Sequence, residues 1–156
     1  MSRPVFHARQ DRMALPTKIQ LEIVTPDRAL VREEVDEVVV PGSEGDLGIL
    51  PGHTPLLATL KVGALWYRSG TQTHYLVVAF GFVEVLPDRV TILAQVAERE
   101  QDIDVERAER AKRRAEERLA AATHTPQSEL DFERARVAMM KSLIRLQVAS
   151  RARTRV

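Results

Sequence analysis

No cysteine occurs among the 156 residues, which excludes disulfides, thiolate nucleophiles and thiolate metal sites. Aromatic residues make up only 4% of the chain, too few to interleave a basic surface with the stacking platforms of a nucleic-acid binder. No apolar run approaches the ~20 residues of a membrane-spanning helix, so any membrane contact is expected to go through partners. Residues 1–15 lack the apolar stretch of a secretory signal, and residues 1–17 read as a disordered N-terminal extension. His7, His53, His74 and His124 are scattered, none at ligand spacing with another histidine or with a carboxylate, and no metal site is expected. There is no G-x-S-x-G elbow. Gly42, Gly45 and Gly48 recur every three residues, but no Lys-Ser/Thr pair follows them and no helix opens there, so they serve turns and not phosphate. Carboxylate pairs such as Glu33-Glu34 and Glu116-Glu117 lie in polar surroundings that leave them ordinary acids. The chain is not expected to be an enzyme, and no catalytic residue is assigned.

What is present is ordinary in amount and uneven in distribution. Hydrophobic residues make up 44% and charged residues 29%, enough to close one solid core. Residues 1–103 carry 10 Lys+Arg against 14 Asp+Glu, and residues 104–156 carry 13 against 8. Two stretches of opposite sign imply two units with different surroundings.

The first unit, residues 18–103, reads as strands. Ile19, Leu21 and Ile23 alternate with Lys18, Gln20 and Glu22, the period of a half-buried strand. Further β-rich runs are expected at Val35–Val40, Leu47–Leu50, Ala64–Arg68, Thr73–Ala79, Phe82–Leu86 and Val90–Val96. Pro41-Gly42, Pro51-Gly52, Ser69-Gly70 and Pro87-Asp88 separate them. Short strands at this spacing predict a sandwich or barrel.

The second unit, residues 104–150, reads as two helices. From Asp104 to Ala122 there is neither glycine nor proline, and Ala, Glu, Arg and Leu dominate. Asp104 is placed to cap the first helix, with Glu106 in its first turn. Thr123-His124-Thr125-Pro126 breaks the run. Ser128, with Asp131 three residues on, then opens a second helix to about Ser150 in the manner of a capping box. So short a connection predicts an antiparallel hairpin, followed by a basic tail at 151–156. The first helix carries a stripe of mostly methyl groups at Ala108, Ala111, Ala115, Leu119 and Ala122. The second carries Val137, Met140, Ile144 and Val148, flanked by Met139, Leu143 and Leu146. That arc is wider than one neighbour needs; the surplus either packs on the β-domain or meets a second partner. Arg107, Arg110, Arg114 and Arg118 share a face of the first helix, but flanking acids make this a solvated face and not a nucleic-acid surface.

Several ordered segments resemble one family. Gly48-Ile49-Leu50-Pro51-Gly52-His53-Thr54-Pro55-Leu56 carries its most recognisable stretch. Val24-Thr25-Pro26-Asp27, Gly81-Phe82-Val83-Glu84-Val85 and Val90-Thr91-Ile92-Leu93-Ala94 match in order and spacing. Asp102-Ile103-Asp104 with Arg107-Ala108 is similar to the start of the family's C-terminal domain. The family is that of the epsilon subunits of bacterial F-type ATP synthases, and the likeness runs from about Lys18 to Val148. It implies a β-sandwich of about ten strands followed by an antiparallel α-helical hairpin. It implies a non-catalytic rotor subunit of the central stalk, contacting the gamma subunit and the c-ring on the cytoplasmic face of the bacterial plasma membrane. It also implies a hairpin that regulates hydrolysis, reaching the alpha and beta subunits when extended through Arg134, Arg136, Lys141, Arg145, Arg151 and Arg153. His53 would hold a structural or contact role in a loop. No cofactor is required, but ATP is implied as a regulatory ligand at Glu98, Ile103, Asp104, Arg107, Ala108, Arg114 and Arg145. At one further basic position nucleotide-binding members have arginine, and this chain has Lys141. A free-standing binding module is the alternative reading, and an enzyme of unrecognised chemistry the third.

Overall fold

The computed structural model describes residues 14–122 and 128–154. Eight strands come first: β1 (Ile19–Val24), β2 (Ala29–Val35), β3 (Glu37–Gly42), β4 (Gly45–Ile49), β5 (Leu56–Leu60), β6 (Gly63–Ser69), β7 (Gln72–Leu86) and β8 (Arg89–Arg99). A single 3₁₀ turn at Glu100–Asp102 leads into α1 (Val105–Ala122), and α2 (Glu129–Arg153) follows.

The strands make a sandwich because its two longest members belong to both layers. The first half of β7 pairs with β6 and its second half with β5, while β8 pairs with it from Leu76 to Leu86. One layer is therefore β2-β1-β8-β7-β5 and the other β4-β3-β6-β7-β8, with β1 and β8 parallel and the other pairs antiparallel. Each layer holds five segments because β7 and β8 run through both, so the described residues form eight strands where about ten were expected. The runs anticipated separately at Thr73–Ala79 and Phe82–Leu86 are one strand, bent where it passes between layers.

The bend is legible in the side chains. Leu76 and Val78 face the core, and so do Val83 and Val85; the inward set changes parity across Phe80-Gly81, both at positive φ (58° and 117°). Gly81 is obligatory here, since a Cβ would stand 1.9 Å from the Leu93 carbonyl oxygen. The core also holds Ile19, Leu21, Ile23, Val38, Val40, Ile49, Leu65, Val90 and Ile92. A polar tie crosses between the layers: the Tyr67 hydroxyl donates to the Glu33 carboxylate, and burial raises the phenol pKa.

α1 starts as expected, with the Arg107 amide donating to Asp104 Oδ1 at 2.9 Å. Ser128 Oγ accepts from the Asp131 amide at 3.2 Å and donates to Asp131 Oδ2 at 2.7 Å, so the aspartate closes on the hydroxyl. The seam between the helices is made of small residues. Ala108 and Ala115 on α1, and Ala135, Ser142 and Ala149 on α2, are buried at heptad spacing. Ser142 satisfies its hydroxyl on the Ala138 carbonyl at 2.7 Å. Among the described residues α2 packs on α1, on the outer face of β6 and β7, and on the 3₁₀ turn. Val77 and Ala79 are fully buried but outside the core cluster; they lie on that outer face, beneath α2. α2 continues through Arg153, three residues past the expected end, so Arg151 and Arg153 belong to the helix and not to a tail. Residues 1–13 of the extension, the break at 123–127, and His7 and His124 lie outside the described residues. Residues 14–17 have no strand or helix.

Candidate functional site

A cleft of about 340 Å³ opens where the end of β8, the 3₁₀ turn and both helices meet, lined by Glu98, Asp102, Asp104, Arg107, Ala108, Ala111, Arg114 and Arg145. Its volume lies in the range of small-molecule sites. Sequence and fold explain how the groups converge. Arg107, Ala111 and Arg114 recur at four and three residues along α1, one face of a helix. Glu98 faces outward from β8 opposite Val77, toward the helix above it. Arg145 descends from α2 to meet it.

Glu98 and Arg145 form the one strong pair in the cleft. Arg145 Nε lies 2.9 and 3.1 Å from the two carboxylate oxygens, and its terminal nitrogen lies 2.5 Å from Glu98 Oε1. This bidentate grip raises the guanidinium pKa. Asp104 is committed to capping α1. Among the described residues the Arg107 and Arg114 side chains have no carboxylate partner, whereas Arg110 pairs with Glu106 at 3.6 Å on a neighbouring part of the helix. The N-terminal end of α1 adds its own positive pole. The cleft thus sets Arg107 and Arg114 beside the Glu98–Arg145 pair, with Asp102 and Asp104 at its edge. No cluster of three or more His, Cys, Asp or Glu suited to a metal ion occurs among the described residues.

Of the residues anticipated for a ligand, Glu98, Asp104, Arg107, Ala108, Arg114 and Arg145 all line this cleft. Ile103 does not; it is the extended residue joining the 3₁₀ turn to α1. Lys141 does not line it either, and its ammonium stands 5.8 Å from the centre of the Phe80 ring. Asp102 and Ala111 were not anticipated. Ala111 was within reach of sequence reasoning, one helical turn beyond Arg107. Asp102 was not, because its position depends on the 3₁₀ turn. His53 lies in the β4–β5 loop as expected, with Nδ1 2.7 Å from the Thr54 carbonyl oxygen.

Residues 18–100 match the beta-sandwich domain of the ATP synthase delta/epsilon chain, and residues 101–150 match its long alpha-helix domain. The chain belongs to the ATP synthase delta/epsilon family. An ATP synthase epsilon chain of Nitratidesulfovibrio vulgaris is 45% identical over 134 residues, covering 86% of this chain and 97% of that one. An ATP synthase epsilon chain of Halalkalibacterium halodurans is 48% identical over 137 residues, covering 88% of this chain and 100% of that one. Among solved structures, a chain of the Euglena gracilis mitochondrial ATP synthase superposes with a TM-score of 0.74 at 21% identity, covering 99% of this chain and 91% of that one. A chain from the central stalk and c-ring of the Tetrahymena thermophila mitochondrial enzyme gives 0.61 at 12% identity, covering 86% and 98%. These last two likenesses are of fold. Family membership makes the chain a non-catalytic subunit of the rotary ATP synthase.

Proposed function

We propose that the chain is the rotor subunit that joins the gamma subunit to the c-ring on the cytoplasmic face of a bacterial plasma membrane, and that its helical hairpin regulates hydrolysis with ATP as an effector. The sandwich would make the stalk contact. Its β2-β1-β8-β7-β5 layer exposes Leu57, Phe82 and Leu93, and Phe82 stands directly opposite both Leu93 and Thr59. A contiguous apolar face of this kind suits a lasting partner, and gamma would be that partner. No described helix is long and apolar enough to cross a membrane, so attachment would run through the complex.

The regulatory half rests on one observation, the convergence of Glu98, Asp104, Arg107, Arg114 and Arg145 in one cleft. That cleft exists only while α2 lies against α1 and β8. A polyphosphate bridging Arg107, Arg114 and Arg145 would bind the docked hairpin and not an extended one, and it would shift the balance by that difference in affinity. An extended hairpin would carry its basic residues toward the alpha and beta subunits, an encounter that salt weakens. Titration calorimetry of the isolated subunit with ATP tests this reading. Saturable heat, lost in an Arg107→Ala, Arg145→Ala double variant, is expected; no heat at millimolar ATP, or equal binding by the variant, would overturn the ATP site.

A further inference from the structure

Three cations of α2 face the sandwich, and only one of them reaches the cleft. Arg145 holds Glu98. On either side of it, Lys141 lies over the Phe80 ring at 5.8 Å and Arg151 lies over the Tyr75 ring at 5.2 Å, both within cation–π range. The order of contacts is monotonic: 141 with 80, 145 with the residue paired to 77, and 151 with 75. α2 therefore runs antiparallel to β7. The spacings agree as well. Ten helical residues from Lys141 to Arg151 rise ~15 Å, and five strand residues from Tyr75 to Phe80 span ~17 Å.

Phe80 meets Lys141 because its backbone departs from the strand. Val78 points into the core, and regular alternation would send Phe80 there too. Instead Phe80 has φ of 58°, a conformation that bulky residues adopt only at a cost, and its ring lies on the α2 side.

We propose that Lys141 and Arg151 form a two-point clasp on Phe80 and Tyr75 that fixes the register at which the hairpin docks, and so positions Arg145 in the cleft. A slip of one helical turn, ~5.4 Å, would break both ring contacts at once and carry Arg145 away from Glu98. Lys141 is then a positioning residue, which accounts for its place outside the cleft lining. The clasp holds without nucleotide; its consequence for a ligand rests on the ATP reading above.

The chain's lack of cysteine allows a direct test in the full-length protein. A Val77→Cys substitution puts the chain's only thiol beneath α2, and its rate of maleimide labelling reports undocking. A Val38→Cys substitution, in the sandwich core, reports global unfolding. In the absence of nucleotide, Lys141→Met and Arg151→Met should each raise labelling at position 77 by about two- to fivefold, and the pair should raise it multiplicatively. Phe80→Leu should match Lys141→Met without adding to it. Lys141→Arg should keep the slow rate, and labelling at position 38 should not change. Unchanged labelling at 77, equal acceleration at 77 and 38, or a Lys141→Arg rate as fast as the Met variant would each overturn the clasp. Adding ATP to the same reporter tests the ATP reading separately: slowing supports it, and an ATP-insensitive rate counts against that reading while leaving the clasp intact.

Discussion

Two residues show how local chemistry sets the frame for everything above it. Gly81 lies in the bend where β7 changes layers, at φ 117°. A methyl group there would meet the Leu93 carbonyl oxygen at 1.9 Å and the Ala94 Cα at 2.9 Å, both backbone atoms of the paired strand. Gly81→Ala should destabilise the fold by about 3–5 kcal/mol, read as a lower urea midpoint with an unchanged slope. Gly70→Ala is the control: φ is 62°, but nothing lies within 4 Å of the added carbon, so only the backbone cost of about 1–2 kcal/mol should appear. Asp36 governs a pH dependence. Its carboxylate accepts from the Lys18 ammonium at 2.5 Å and from the Gly70 amide at 2.7 Å, and these bonds hold its pKa below the ordinary value. The stabilisation is therefore fully present above about pH 4, the unfolded value for aspartate, and is lost as pH falls through the depressed folded value. Wild type and Asp36→Asn should differ in urea midpoint at pH 6 and converge toward pH 2. A constant difference across that range would show that Asp36 does not act through its charge.

At the scale of elements, legibility followed periodicity. β1 announced itself because Ile19, Leu21 and Ile23 alternate with polar residues, and each of the three is buried. β2 is hidden because its polar Arg32-Glu33-Glu34 run breaks the apolar signal on an edge strand. β5 is hidden because Leu56-Leu57-Ala58 offers no apolar–polar alternation, and both leucines are exposed. The unity of β7 was hidden by the parity change at Phe80-Gly81, which looks like a boundary to any pattern search. The helix starts were legible because capping is local chemistry: Asp104 and Ser128 each bond an amide three residues on. The candidate cleft was legible through family resemblance and helical spacing, and Lys141 diverged because its position depends on a ring that the strand presents out of turn. Since the apolar core closes within β1 to β8, a fragment of residues 18–103 should fold alone. Circular dichroism should show β structure with a cooperative thermal transition. The melting temperature should fall by several degrees, because the fragment exposes Val77 and Ala79. A spectrum of unfolded chain would show that the helices are required to complete the core.

The whole molecule joins a strand-built core to a helical hairpin seated on it. The sandwich is held by a continuous core and hydrogen-bonded strands, whereas the helices meet along alanine and serine, side chains that bury little apolar area per contact. The hairpin is held on the sandwich by α2 packing over Val77 and Ala79 and by the Glu98–Arg145 pair. A hairpin whose own seam is lined by small side chains would suit the proposed switch. Under the proposed function the sandwich assembles and the hairpin restrains. The most direct measurement compares ATP hydrolysis and ATP synthesis by the assembled complex carrying either the full chain or a chain ending at Ile103. Hydrolysis should rise several-fold with the shortened chain while synthesis is largely kept. Equal hydrolysis by the two complexes would contradict a regulatory hairpin, and loss of synthesis would contradict the division between a coupling sandwich and a restraining hairpin.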